Sequence, residues 1–132
     1  MTGVPFFQYL FYKMTFKKIF IMGFLGFNLF SNQTTAQTGF SKIDKTTFVQ
    51  AISSDAAVQV VDVRTPGEFN TGHFENAVNL DFYSPDFSTQ LDKLDKTKPV
   101  YLYCRSGNRS GKAAKMLVDK GFGEIYDLKG GY

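Results

Sequence analysis

The sequence predicts an α/β fold, an open and mostly parallel sheet with helices on both faces, and three observations predict it. The runs 57–63 and Val100–Tyr103 are almost continuously apolar, as are strands covered on both faces. Helix-start signals follow closely behind these runs. Strand-like and helix-like segments alternate from residue 40 to residue 128, the pattern of βαβ units.

Taken in order, residues 40–43 read as a short edge strand. Asp44 is placed to cap a helix carrying Phe48, Ala51 and Ile52 at helical spacing, closed by Ser53, Ser54 and Asp55. Val58, Val60, Val61 and Val63 make the next run a buried strand. Thr65, Pro66, Gly67 and Glu68 form a capping box with proline at the first helical position, so a short helix starts there and ends near Gly72. Residues 77–80 read as a second short strand. Ser84, Pro85 and Asp86 repeat the cap-then-proline signal before a helix bearing Phe87, Leu91 and Leu94, and 96–99 is a loop. Val100–Tyr103 is again a buried strand. After the segment 104–110 comes a helix over 111–120, with Ala113, Ala114, Leu117 and Val118 as its apolar stripe and Gly121 at its C-terminal end. Residues 124–128 form the last strand.

The charges are unevenly placed. All 12 acidic residues lie at Asp44 or later, and from residue 37 onward 12 Lys and Arg balance them, so the net charge of +3 belongs to the N-terminal segment. A neutral domain has no long-range electrostatic reason to bind nucleic acid or an anionic membrane. The N-terminal segment has the order of a secretory signal: Lys17 and Lys18, an apolar stretch over 19–30, then Thr34, Thr35 and Ala36. The expectation is a signal peptide over 1–36 cleaved after Ala36, with Met14 as an alternative start that leaves 1–13 outside it, and a single domain over 37–132. The alternative is an uncleaved N-terminal membrane anchor. The expected location is periplasmic or secreted, with no stable membrane association after cleavage.

Cys104 is the only cysteine, so no intramolecular disulfide can form, and one His beside one Cys is too few for a zinc site. No metal and no cofactor is expected. The segment Cys104-Arg105-Ser106-Gly107-Asn108-Arg109-Ser110 lies between a strand end and a helix start. Backbone N–H groups and the positive end of the helix dipole therefore converge near the thiol, with two arginines at hand. Each feature favours a thiolate. The competing reading is a buried structural cysteine.

With these residues in view, the sequence resembles the rhodanese family of sulfurtransferases, which carry sulfane sulfur as a cysteine persulfide. The likeness spans residues 40–132. It rests on the segments 61–69 (VDVRTPGEF), 72–80 (GHFENAVNL), 104–110 (CRSGNRS) and 128–132 (LKGGY). It departs from the family at Asn76, where glycine is frequent, and the chain stops at Tyr132 where the family continues with an aromatic residue and a short helix. The resemblance implies a five-stranded, three-layer fold, with Cys104 as nucleophile and its loop as a cradle of N–H donors. Four residues separate Cys104 from Arg109, whereas phosphatases of this fold have five, and Tyr103 stands where many of them have His. The shorter loop suits a sulfur atom better than a phosphate.

The expected roles follow. Cys104 attacks the outer sulfur of a small anion such as thiosulfate and passes the sulfur to cyanide, a thiol or an acceptor protein. Arg105 faces solvent and substrate, while Arg109 braces the loop against a carboxylate. Ser106, Gly107, Asn108 and Ser110 contribute N–H groups. Asp62 pairs with a loop arginine, and Arg64 binds the anionic substrate or pairs with Glu68; for both, a structural role is the more economical reading. His73 reads as a packing residue, not a base. The expected protein is an exported, monomeric sulfurtransferase with no nucleic-acid partner. The runner-up is a non-catalytic sulfur-binding or partner-docking module, and a redox thiol protein is third.

Overall fold

The computed structural model describes residues 39–132, all within the unit Ala36–Tyr132. The expectations for the signal peptide, its cleavage site and the alternative start fall on 1–36 and lie outside the described residues. Five strands, β1 (Ser41–Ile43), β2 (Gln59–Asp62), β3 (Val78–Asn79), β4 (Val100–Tyr103) and β5 (Ile125–Leu128), form one sheet of order β1-β5-β4-β2-β3. Every pairing in it is parallel. Four helices join them: α1 (Lys45–Ser54), α2 (Pro66–Asn70), α3 (Phe87–Leu91) and α4 (Asn108–Asp119).

Successive strand residues face opposite sides, and the core divides accordingly. On one face Val61, Val63, Leu102, Cys104 and Ile125 pack against Ala113, Ala114 and Leu117 of α4 and Phe87 and Leu91 of α3. On the other, Val60, Tyr103 and Leu128 pack against Phe48 of α1, with Phe74 and Tyr101 beside them. This is the three-layer arrangement anticipated from sequence.

The helix starts explain themselves locally. Asp44 caps α1 by accepting the Thr47 N–H at 2.9 Å. At α2 the reciprocal box is complete: Thr65 Oγ1 accepts the Glu68 N–H, and Glu68 Oε2 accepts the Thr65 N–H. The third helix differs from expectation. Asp86, not Ser84, occupies its N-cap, with no side-chain cap bond, because the Ser84 hydroxyl is spent on the Asp86 carboxylate, and the helix ends at Leu91, short of Leu94. The fourth helix begins at Asn108, three residues ahead of the expected Gly111. Gly107, at φ +89°, makes the turn out of the strand in a conformation that glycine adopts without strain.

The sheet order sets the position of the site. After β2 the chain steps outward to β3, then returns across β2 to place β4 and β5 on its other side. The connections at the carboxyl ends of β2 and β4 therefore diverge, leaving a crevice where open parallel sheets bind ligands.

Candidate active site

Cys104 follows β4 directly and has no exposed surface. Its Sγ accepts the Gly107 N–H at 3.0 Å and the Ser110 hydroxyl at 3.4 Å. Burial pushes the thiol up; the Ser110 hydroxyl and the N–H groups of Ser110, Ser106 and Gly107 outweigh it and hold the thiol below its ordinary value. Asn108 is not among these donors. The loop thus turns the Gly107 N–H and the Ser110 hydroxyl onto a single sulfur, with the Ser106 and Ser110 N–H groups adding to the field there, an arrangement that stabilises negative charge.

The arginines divide their work. Arg109, in the first turn of α4, makes a two-pronged pair with Glu68 of α2, at 2.7 Å to Oε2 and 2.8 Å to Oε1. That pair draws the Glu68 carboxyl down to about 2 and raises the guanidinium above its ordinary value. Arg105 is exposed and forms no ion pair among the described residues. It stands between two open clefts. One, of about 450 Å³, is lined by Arg64, Gly67, Glu68, Thr71, Arg105 and Tyr132. The other, of about 550 Å³, is bounded by Phe82, Tyr83, Arg105, Ser106, Arg109 and Lys112 among others. Cys104 lines neither, so its sulfur lies behind the loop between them.

Asp62 and Arg64 take partners other than those expected. Asp62 meets no loop arginine and Arg64 does not meet Glu68; they pair with each other, Arg64 Nη2 to Asp62 Oδ2 at 2.7 Å, both buried. The register explains this. Two residues apart at the end of β2, they share the sheet face opposite Cys104, where Arg64 Nη2 also donates to the Gly72 carbonyl at 2.6 Å. Arg109 is then free for Glu68. Arg64 keeps one contact with the cleft, its guanidinium lying 4.4 Å from the ring centroid of Tyr132. His73 stacks on Phe69 with ring centroids 3.7 Å apart, and its Nδ1 donates to the Phe69 carbonyl, so it packs against α2.

Three parts of the site, Glu68, the Gly131–Tyr132 pair and Asp127, were not singled out from sequence as site residues. Glu68 reads from sequence as the cap of α2 and as one alternative partner of Arg64, not as the partner of Arg109. Gly131, at φ +82°, lies so close to the backbone of Arg105 and Ser106 that a Cβ there would overlap it, and Tyr132 donates its N–H to the Cys104 carbonyl at 2.9 Å. Asp127 of β5 is wholly buried beside Ser110. The Gly-Gly pair after an apolar strand was the available signal for the second of these; the other two depend on contacts far apart in the chain.

Comparison with known proteins gives the same family for most of this region. The family model described as Rhodanese-like domain matches residues 45–132. The chain is 42% identical over 84 residues to the thiosulfate sulfurtransferase GlpE of Pseudomonas syringae, covering 63% of this chain and 76% of that protein. It is 43% identical over 79 residues to the tRNA uridine(34) hydroxylase of Pelagibacter ubique, covering 59% of this chain but spanning only 26% of the length of that protein. Among solved structures, the rhodanese-related protein of Thermoplasma volcanium superimposes with a TM-score of 0.61 at 28% identity, covering 70% of this chain and 86% of the other.

Proposed function

The chain belongs to the rhodanese-like domain family, and from that premise we propose that it is a sulfurtransferase that carries sulfane sulfur on Cys104. The observation that carries the reading is the sulfur held by the Gly107 N–H and the Ser110 hydroxyl at the end of a buried strand. In the first half-reaction the Cys104 thiolate attacks the outer sulfur of thiosulfate. A new S–S bond forms, the bond to the sulfite sulfur breaks, and sulfite leaves with the electron pair. The persulfide anion keeps the charge the thiolate brought, so the same N–H donors serve both states. In the second, cyanide or a thiolate takes the outer sulfur and the Cys104 thiolate returns. Exposed Arg105 receives the donor's sulfonate oxygens, and the buried sulfur favours a small donor that can slip past the loop.

Intact mass spectrometry of the full chain before and after thiosulfate tests this, with Cys104→Ser as control. The expected result is a gain of one sulfur atom, ~32 Da, removed by cyanide or dithiothreitol and absent from the serine variant. No gain in a folded protein with a titratable thiol overturns it and supports the runner-up, a sulfur-binding or partner-docking module. One observation favours that second reading, namely that Cys104 has no exposed surface. The uridine chemistry in the name of the longer relative is not carried over, because the balanced charge of 37–132 offers no footprint for RNA.

The signal-like order of residues 14–36 supports export as the setting, with a periplasmic or secreted monomer as the product. Cell fractionation, with N-terminal sequencing of the mature protein, checks it: a mature N-terminus at Gln37 is expected, and retention of residues 1–36 on a membrane-bound protein points to the anchor instead.

A further inference from the structure

Asp127 has no part in the mechanism so far, yet it is a carboxyl group with no exposed surface. It points from β5 to the same sheet face as Ile125, toward α4, and neither of its oxygens has a partner at hydrogen-bond distance. A buried carboxylate without hydrogen bonds is costly and needs an explanation. The groups around it are few. From β1 comes Lys42, with Nζ at 3.6 Å and a half-exposed side chain. From α4 comes the Ser110 hydroxyl, with Gly111 next to it, so placed that even a Cβ there would lie only in ordinary contact with Oδ2, at 3.6 Å. Neighbouring β4 brings only Leu102 in register. Ser110 therefore neighbours Asp127 on the same turn of α4 as Gly111 and donates to the Cys104 sulfur at 3.4 Å. The other charge near that sulfur is Arg109, already held by Glu68.

We propose that Asp127 is a positioning residue for Cys104 that acts through Ser110. With its proton on, the carboxyl makes no claim on the Ser110 hydroxyl hydrogen, which stays turned to the sulfur. With its proton off, it competes for that hydrogen. The ionisations of Asp127 and Cys104 are thereby linked, and a neutral Asp127 goes with a charged sulfur. Burial supports this by pushing the Asp127 carboxyl up, against the opposing pull of Ser110 and Lys42. The inference rests on Cys104 working as a thiolate, as the sulfur-transfer reading requires, but its test needs no sulfur transfer.

The test is the ultraviolet titration of the thiolate, read as folded protein minus Cys104→Ser, which is clean because Cys104 is the only cysteine. Asp127→Asn mimics the neutral acid. It is expected to lower the pH of thiolate formation, raising the thiolate fraction on the rising limb by on the order of tenfold for a coupling of one pK unit. Ser110→Ala is expected to raise that pH, and Asp127→Asn in the Ser110→Ala background is expected to add nothing. An unchanged titration in Asp127→Asn, or the same shift with and without the hydroxyl, overturns the proposal. Lys42→Met keeps the test open if Asp127→Asn does not fold. Loss of the ammonium lets Asp127 hold its proton longer, so thiolate formation moves to lower pH, whereas a plain long-range charge effect on the sulfur moves it to higher pH and overturns the link.

Discussion

Glu68 serves two structures at once: its carboxylate closes the capping box of α2 and pairs with Arg109 of α4, 41 residues away. Its carboxyl falls from an ordinary 4.5 to about 2, first through Arg109 and then, against burial, through Thr65. A depressed carboxyl stabilises the fold above its unfolded value and loses that contribution as pH falls through the folded one. Glu68→Gln keeps the cap but removes the charge. It is expected to cost about 2 kcal/mol at neutral pH, and the difference from wild type should close as pH drops from 4.5 toward 2. Urea unfolding at a series of pH values checks this. Arg105, exposed and without an ion pair among the described residues, belongs to the opposite case. Arg105→Met should raise the KM for thiosulfate about tenfold, the worth of one charge-assisted hydrogen bond of roughly 1.5 kcal/mol, and leave unfolding within about 0.5 kcal/mol. The contiguous loop 104–110 was legible from sequence because strand, glycine and helix follow one another directly. The pairings of Asp62, Arg64, Glu68 and Arg109 were not, since each depends on which strands become neighbours.

At the scale of elements, the turn from β4 into α4 is braced by the segment after β5. Gly131 lies against the Arg105 backbone at φ +82°, and Gly130 has almost the same φ, +83°, with open space around it. The two separate backbone conformation from contact. Gly130→Ala should cost only the strain of a left-handed alanine, about 1 kcal/mol. Gly131→Ala should cost that and more, about 2–3 kcal/mol, and slow persulfide formation because the Arg105–Ser106 peptide must shift. Thermal unfolding and the sulfur-loading rate of both variants check it. Asn76 is the one non-glycine residue with positive φ among the described residues, at +61°. The departure from the family's glycine is thus a residue that tolerates the same conformation. Caps and apolar periodicity made the presence of each element legible, but they misplaced both ends of α3, and the start of α4 was misplaced for a physical reason. Gly111 looks like a helix boundary in the sequence, but the turn out of the strand is made by Gly107 at φ +89°, so the helix already starts at Asn108 and Gly111 lies within its first turn.

For the whole molecule, the sheet order divides labour between two faces at one crevice. Cys104 and α4 occupy one face; Asp62, Arg64, Tyr103 and α1 occupy the other. The Asp62–Arg64 pair is a clamp on connectivity, not on the sulfur. Asp62 Oδ1 accepts the Arg64 N–H, Arg64 holds the Gly72 carbonyl, and Asn79 of β3 donates to the carbonyls of both Asp62 and Arg64. It therefore ties the end of β2 to both ends of the 72–79 excursion that carries the chain out to the sheet edge. Removing one partner of a buried pair leaves the other charge uncompensated, at about 3–5 kcal/mol, a large share of the roughly 5–15 kcal/mol that holds a domain together. Asp62→Ala should accordingly lower the midpoint of urea unfolding steeply. Because the pair lies across the sheet from the sulfur, each molecule that remains folded should load sulfur on Cys104 at close to the wild-type rate. Mass-spectrometric loading rates, normalised to the folded fraction from circular dichroism, read both quantities on the same sample. A loading defect larger than the loss of folded protein would move Arg64 from the clamp to the donor, since its guanidinium also borders the cleft beside Tyr132 and Arg105.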